Sequence, residues 1–257
     1  MLAVLAAGGA AFGGYFLWPS GREPARCLAL RARVPAAAKA ALAAYDGRIR
    51  FDRYRSSGSV DESWYDTLSA RSRQVSFDNR GRITDVFADV PAGRYVRTVW
   101  VMYDAHEWTV DRVPLPKGFH AQSAAEVAQA NRDKVARGRA TIVGRDRIAG
   151  REAVHLREVV RIPGVDPAKL HLPTGSPVPK ALLRTRRFEV DTWVDPLTYL
   201  TVRTRSPGET SDETWLPRTG ATLAKLKVVV PKGFTRSIPQ RGKTLVSYLT
   251  ARPCGGS

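Results

Sequence analysis

The sequence predicts an α+β chain that is mainly antiparallel β, and three observations predict it. From residue 48 onward, short segments alternate apolar and polar residues with a period of two. Gly, Asn, Asp and Pro clusters separate those segments at hairpin spacing. Only two stretches carry helix signatures after the first eighteen residues.

Residues 1–18 (MLAVLAAGGAAFGGYFLW) carry no charge and lie at the short end of what crosses a hydrocarbon core as a helix. Pro19, Ser20, Gly21 and Arg22 end the run, and Tyr15, Phe16 and Trp18 gather where aromatic rings favour a membrane interface. The segment therefore reads as a membrane anchor or uncleaved signal. Neither a small-x-small cleavage site nor a lipobox precedes Cys27, because Arg26 stands where a small residue is needed. Arg22, Arg26, Arg31 and Arg33 follow the run and no base precedes it, which taken literally would keep the main domain in the cytoplasm. A start codon placed too far downstream would reconcile this with the expected location, a single-pass cell-membrane protein with its main domain outside the cytoplasm. Residues 19–34 then form a linker and residues 35–257 the β-rich domain. Cys27 and Cys254 bracket that domain and could close one disulfide, or remain two free thiols.

Residues 35–44 are alanine-rich with proline in the first turn, which predicts a short helix stopped by Gly47. Residues 48–55 alternate Ile49, Phe51 and, with a slip, Tyr54 against basic residues, and so form a strand with one wet face. Further strands are expected at 62–65, 71–77, 83–87, 94–103 and 107–113. Ser123 with Glu126 makes a capping box for a helix over 123–137, which Gly138 stops. Strands resume at 140–143 and 153–162, joined by 144–150. Residues 163–179 hold five prolines and two glycines and predict a long loop. The last arms are 188–194, 199–205, 209–216 and 221–230.

The chain carries 41 basic and 24 acidic side chains, a net charge of +17. Such a balance favours anionic partners, but the bases are scattered and no helix-turn-helix, zinc-finger or aromatic RNA-binding pattern accompanies them, which argues against nucleic acid. A solvated arginine-rich surface satisfies the composition equally well.

Trp64-Tyr-Asp-Thr, Trp193-Val-Asp-Pro and Trp215-Leu-Pro-Arg repeat one plan, a tryptophan at a strand end followed by turn residues. Each tryptophan taken singly is a packing residue. Further phrases accompany them: Gly144-x-x-x-Ile148-x-Gly150-Arg-x-Ala153-x-x-Leu156, then Phe188-x-x-x-x-Trp193-x-Asp195-Pro196-x-Thr198-x-Leu200-x-x-Arg203, and Val229-Val-Pro-Lys-Gly-Phe234. Together they resemble the LolA/RseB superfamily, which includes lipoprotein carriers, envelope-stress sensors of the RseB type and LppX/LprG-like lipoproteins. The match is best over 140–234. The resemblance implies a curved half-barrel sheet whose concave side holds acyl chains or an apolar peptide beneath a few covering helices. Two departures bear on lipid carriage: the missing lipobox, and a helical cover too sparse to enclose a large cavity.

Catalytic patterns are lacking. His106, His120, His155 and His171 offer no helical zinc spacing, no Gly-x-Ser-x-Gly elbow occurs, and Gly242-Lys243-Thr244 lacks the first glycine of a phosphate loop. Asp61 with Glu62 and Asp212 with Glu213 are sequence neighbours that a strand points to opposite faces. No cofactor or metal is expected, and the chain reads as a binding protein, not an enzyme. The expected ligand is a lipid or a lipidated or hydrophobic peptide, with Trp100, Val101, Trp108, Trp193 and Trp215 as candidate wall or floor residues. A sensor that contacts a membrane-protein partner, or a basic cell-surface interaction module, are the alternatives.

Overall fold

The structure, a computed structural model, describes residues 35–115, 119–162 and 184–238. Within them twelve strands make one open, curved sheet in the order β12-β6-β5-β4-β3-β2-β1-β11-β10-β9-β8-β7. The strands are β1 (Ile49–Arg55), β2 (Ser59–Asp66), β3 (Ser72–Asp78), β4 (Ile83–Ala92), β5 (Tyr95–Met102), β6 (Glu107–Pro114), β7 (Ala140–Ile148), β8 (Arg151–Ile162), β9 (Arg186–Val194), β10 (Thr201–Ser206), β11 (Glu209–Leu216) and β12 (Thr235–Arg236). Every pairing is antiparallel except the two-residue β12, which lies parallel to β6. Two meanders, β1–β6 and β7–β11, therefore meet where β1 pairs with β11.

Three helices are described: α1 (Ala36–Ala43), α2 (Ala124–Ala136) and α3 (Gly220–Ala224). In α1, Ala38 and Leu42 are four residues apart and bury together on one face. Ser123 caps α2 as its sequence predicts, its hydroxyl accepting the Glu126 amide at 3.2 Å while the Glu126 carboxylate accepts the Ser123 amide at 2.9 Å.

The register assigns each side chain to one of two faces, and each face is covered over a different half. Helices α1 and α2 lie on what we call the helix face, where Leu42, Ala124 and Ala128 pack on Leu200 and Trp215, and Val135 packs beside Val154, Leu156 and Val194. On the opposite face, Ile49, Trp64, Val75, Val86, Val99 and Val101 form the largest cluster, and it is closed by Leu223, Leu226, Val228, Val230 and Phe234. The chain after β11 thus crosses the β1–β6 half as a strap.

Three expectations need correcting. Residues 221–230, expected as a strand, are α3 and the strap: Thr219 and Thr222 cap each other reciprocally and start a helical turn instead. Residues 144–148, expected in a joint, continue β7, and the reversal is made by Ala149 and Gly150, both at positive φ. Tyr54 does not share a face with Ile49 and Phe51; the ladder runs without a slip, so Tyr54 is buried on the helix face. The expected 1–18 anchor, Cys27, Cys254 and the 163–179 loop lie outside the described residues. Among the described residues no helix is long and apolar enough to cross a membrane.

The repeated tryptophan phrase has a structural cause in two of its three copies. Asp66 and Asp195 each follow a strand-end tryptophan by two residues. Each carboxylate accepts the amide two residues on (Leu68, Leu197) and the hydroxyl three residues on (Ser69, Thr198). Each backbone carbonyl accepts the amide four residues on, from Ala70 or Tyr199, and both of those residues sit at positive φ. The same turn closes β2–β3 and the β9–β10 connection. In the third copy Pro217 replaces the aspartate, and the chain leaves the sheet toward α3.

Candidate functional site

Strands β1–β6 direct alternate side chains to the helix face: Phe87, Val96, Trp100, Met102 and Val113 among them, set between hydroxyl and carboxyl groups. No residue that β3–β6 place on this face joins any of the four apolar clusters. The surface is nevertheless recessed, with Asp61, Asp89, Val96 and Thr98 each under a tenth exposed.

Polar contacts hold that surface in place. Thr98 donates its hydroxyl to Asp89 at 2.6 Å, and the Trp100 indole N–H donates to Asp85 at 2.9 Å. Burial raises the Asp61 carboxyl above the ordinary range, and the Asp85 charge adds to that, against hydrogen bonds with Ser76 and Gln74. The Gln122 amide donates to the Tyr65 hydroxyl at 2.7 Å, so the chain entering α2 borders the surface at β1 and β2. Arg50 is the one base that strands β1–β6 direct to this face, against Asp52, Asp61, Asp85, Asp89, Glu107 and Asp111. In a chain of +17, this face is acidic.

The acidity continues across the seam between the meanders. Asp52 and Glu213 are cross-strand partners, and their carboxyl groups hydrogen-bond to each other. Burial and the Asp52 charge push Glu213 up to about 8, and burial raises Asp52 as well, despite the Arg50 guanidinium 3.3 Å from its Oδ2. Asp52 and Glu213 lie far apart in the chain and only the β1–β11 register joins them, so the pair leaves no local signal in the sequence.

The five residues expected to wall one hollow are distributed over both faces. Trp100 lies on the helix face over β3–β6. Trp215 is on the same face but under α1, edge-on to Tyr45 at 5.8 Å. Val101 and Trp108 are paired neighbours on the strap face, inside the cluster that the strap closes. Trp193 is on the strap face of the other meander, stacked on His155 at 4.6 Å, with its indole N–H on Asp146 at 2.6 Å.

His155 belongs to a polar network beneath that tryptophan. Its Nε2 and Asp191 Oδ1 are 2.8 Å apart, and Arg157 and Arg205 donate to the same carboxylate at 2.8 and 2.9 Å. Burial alone would raise Asp191, but these three hydrogen bonds outweigh it and hold the carboxyl far below its ordinary range. An acid fixed as its anion by two guanidinium groups is a structural clamp, not a proton carrier. A separate shallow cleft of about 540 Å³ opens between the β1–β2 and β3–β4 turns, lined by Arg53, Ser57, Val60, Glu62, Phe77 and Asn79. Among the described residues no group of acids, histidines or cysteines could hold a metal ion.

No protein-family model matches the sequence, and no curated protein matches it. Solved structures do resemble the fold. An uncharacterized conserved protein of Thermus thermophilus is similar at TM-score 0.39 and 10% identity, covering 83% of this chain and 99% of that one. The lipoprotein LppX of Mycobacterium tuberculosis is similar at TM-score 0.37 and 11% identity, covering 80% of this chain and 98% of LppX. The Pseudomonas aeruginosa MucA/MucB complex contains a chain similar at TM-score 0.35 and 15% identity, covering 80% of this chain and 62% of that chain. At 10–15% identity, the likeness to these structures is one of fold alone.

Proposed function

We propose that this chain is a binding protein of the cell envelope, tethered through its N-terminal segment with the sheet domain outside the cytoplasm, and that it works without catalysing a reaction. Its ligand lies on the helix face against β3–β6. The observation that carries this reading is the recessed surface around Trp100, which mixes an aromatic and aliphatic floor with buried hydrogen-bond acceptors and belongs to no packed cluster. Such surfaces bind through a few well-placed polar groups in an otherwise apolar lining. Because the polar groups here are mostly carboxyl oxygens, the ligand they suit is apolar with N–H or O–H donors of its own. A lipidated or hydrophobic peptide meets that description better than a fatty acid, whose carboxylate would face like charge.

The test is a titration of the delipidated full chain with a fluorescently labelled acylated peptide and, in parallel, a fluorescent fatty-acid probe. Saturable binding of the peptide, weakened at least about ten-fold by Trp100→Ala, is expected; losing a buried aromatic contact costs that much. Flat curves for both probes at micromolar concentration would remove the proposal.

A second reading, recognition of an extended segment of a protein partner, is favoured by one feature. The edge strand β7 is exposed from Thr141 to Arg147 on both of its faces, and Ile142 and Val143 are each more than half exposed. An open strand edge accepts another strand through main-chain hydrogen bonds. Photo-crosslinking from position 143 in intact cells should then recover one dominant protein, and recovery of lipid alone counts against it.

A further inference from the structure

We infer that the strap face is a docking surface for an anionic lipid bilayer, separate from the ligand surface on the helix face. Residues 217–238 contain five bases, Arg218, Lys225, Lys227, Lys232 and Arg236, and no acid. All five are exposed. The strap alternates, with Leu226, Val228 and Val230 turned into the core cluster and Lys225, Lys227 and Val229 turned out. Lys225 and Leu226 belong to the turn that ends α3, and from Lys227 on the alternation is that of a chain crossing a sheet, whose successive side chains point to opposite sides.

Two observations distinguish this face from an ordinary solvated one. Val229 is 78% exposed and Ile238 89%, the two most exposed large apolar side chains described, and both stand among the strap's bases. Projecting apolar side chains ringed by lysine suit the boundary between headgroups and acyl chains, where apolar burial and attraction to anionic lipid act together. The sheet on the same face also pairs like charges. Arg97 stands opposite Arg112 across β5 and β6, and Arg161 opposite Arg187 across β8 and β9, all four exposed. Directly opposed like charges weaken a sheet unless a counter-charge relieves them. The register places both arginine pairs on the strap side, and Asp52, Asp61, Asp85, Asp89, Glu107 and Asp111 on the other. The charge separation across one sheet orients the domain, with its acidic ligand surface turned away from an anionic bilayer and its basic surface against it.

The experiment is vesicle flotation of the full chain on phosphatidylcholine with and without phosphatidylglycerol, at low and high salt. Residues 1–18 carry no charge, so their contribution is common to both lipids and cancels in the ratio of the two partition coefficients. The wild-type ratio is expected to exceed about ten-fold at low salt and to fall toward one at high salt, because a lysine near an anionic surface contributes about five-fold and salt screens it. Lys225→Gln, Lys227→Gln and Lys232→Gln together, side chains with no structural partner among the described residues, should lower the low-salt ratio about a hundred-fold or bring it to one. Val229→Ser should weaken binding to both lipids without changing the salt dependence. A wild-type ratio near one, or a triple variant equal to wild type with unchanged circular dichroism, overturns the inference. So does binding to soluble polyglutamate as tight as to the anionic vesicles with Val229→Ser inert, which would assign the face to an acidic polymer. Loss of peptide binding by Trp100→Ala leaves all of these outcomes unaffected, so the two surfaces are tested independently.

Discussion

Asp52 and Glu213 stand opposite each other across the β1–β11 seam and share a hydrogen bond between their carboxyl groups, which requires a proton on one of them. Glu213 is pushed up to about 8 from 4.5 by burial and by the Asp52 charge. The folded state therefore holds more protons than the unfolded state between those two values, and stability falls as pH rises across that window. The contribution is complete below about 4.5 and lost above about 8. Urea denaturation at pH 5.5 and pH 8.5 should differ by a few kcal/mol in favour of the lower pH, and Glu213→Gln, which keeps the hydrogen bond without the charge, should remove most of the difference. An unchanged slope in Glu213→Gln would reject the shared proton.

Asp191 has the opposite sign. Its carboxyl is held below the ordinary 3.8 because the hydrogen bonds from Arg157, Arg205 and His155 exceed the cost of burying it. Its stabilisation is complete above the unfolded value and lost as pH falls below it. Asp191→Ala should cost about 3 kcal/mol at neutral pH, since it leaves His155 and the guanidinium groups without their acceptor. The same variant should flatten the acid limb of the stability curve below pH 4. Loss of neutral-pH stability with an unaltered acid limb would place the effect elsewhere.

Much of the fold could be read from alternation and turn chemistry, because those signals are local. The pairing partners of β1–β6, the Ser123 cap and the reversal at Asp195 all follow from residues a few positions apart. The strap could not be read so. Its Val228-Val-Val230 run has the composition of a strand, and only the Thr219–Thr222 cap upstream and the waiting cluster of Ile49, Val75 and Val101 decide that it crosses the sheet instead of joining it. Site residues were harder for the same reason. Tryptophans mark burial, but the face on which each is buried depends on the register of every strand back to β1. Trp100 and Trp108, eight residues apart, consequently finish on opposite faces.

The twin turns permit a test of strain. Asp66→Ala and Asp195→Ala should each cost about 1–2 kcal/mol, as removal of a side chain that satisfies turn amides does elsewhere. Asp66 should be the costlier of the two, because Arg218 also reaches its carboxylate, at 3.2 Å from both oxygens. Equal losses measured by thermal denaturation would show that the Arg218 contact contributes nothing.

Exposed Ala149 occupies φ 50 in the β7–β8 reversal, where an L side chain crowds its own carbonyl. Ala149→Gly should raise stability by about 1 kcal/mol, the relief of that crowding exceeding the added freedom of the unfolded chain. A drop in melting temperature would mean that the methyl group is not the source of strain.

The strap makes the sharpest contrast between neighbouring residues. Leu226 is 6% exposed and closes the cluster over Val75 and Val101, whereas Val229, three residues on, is 78% exposed. Leu226→Ala should cost about 2–4 kcal/mol, the loss typical of a buried leucine that leaves a cavity. Val229→Ser should cost less than about 0.5 kcal/mol in the same assay, because an exposed side chain gives up no packing. If the two substitutions destabilise equally, the strap does not lie across the sheet as described, and the arrangement that turns Lys225 and Lys227 outward is lost with it.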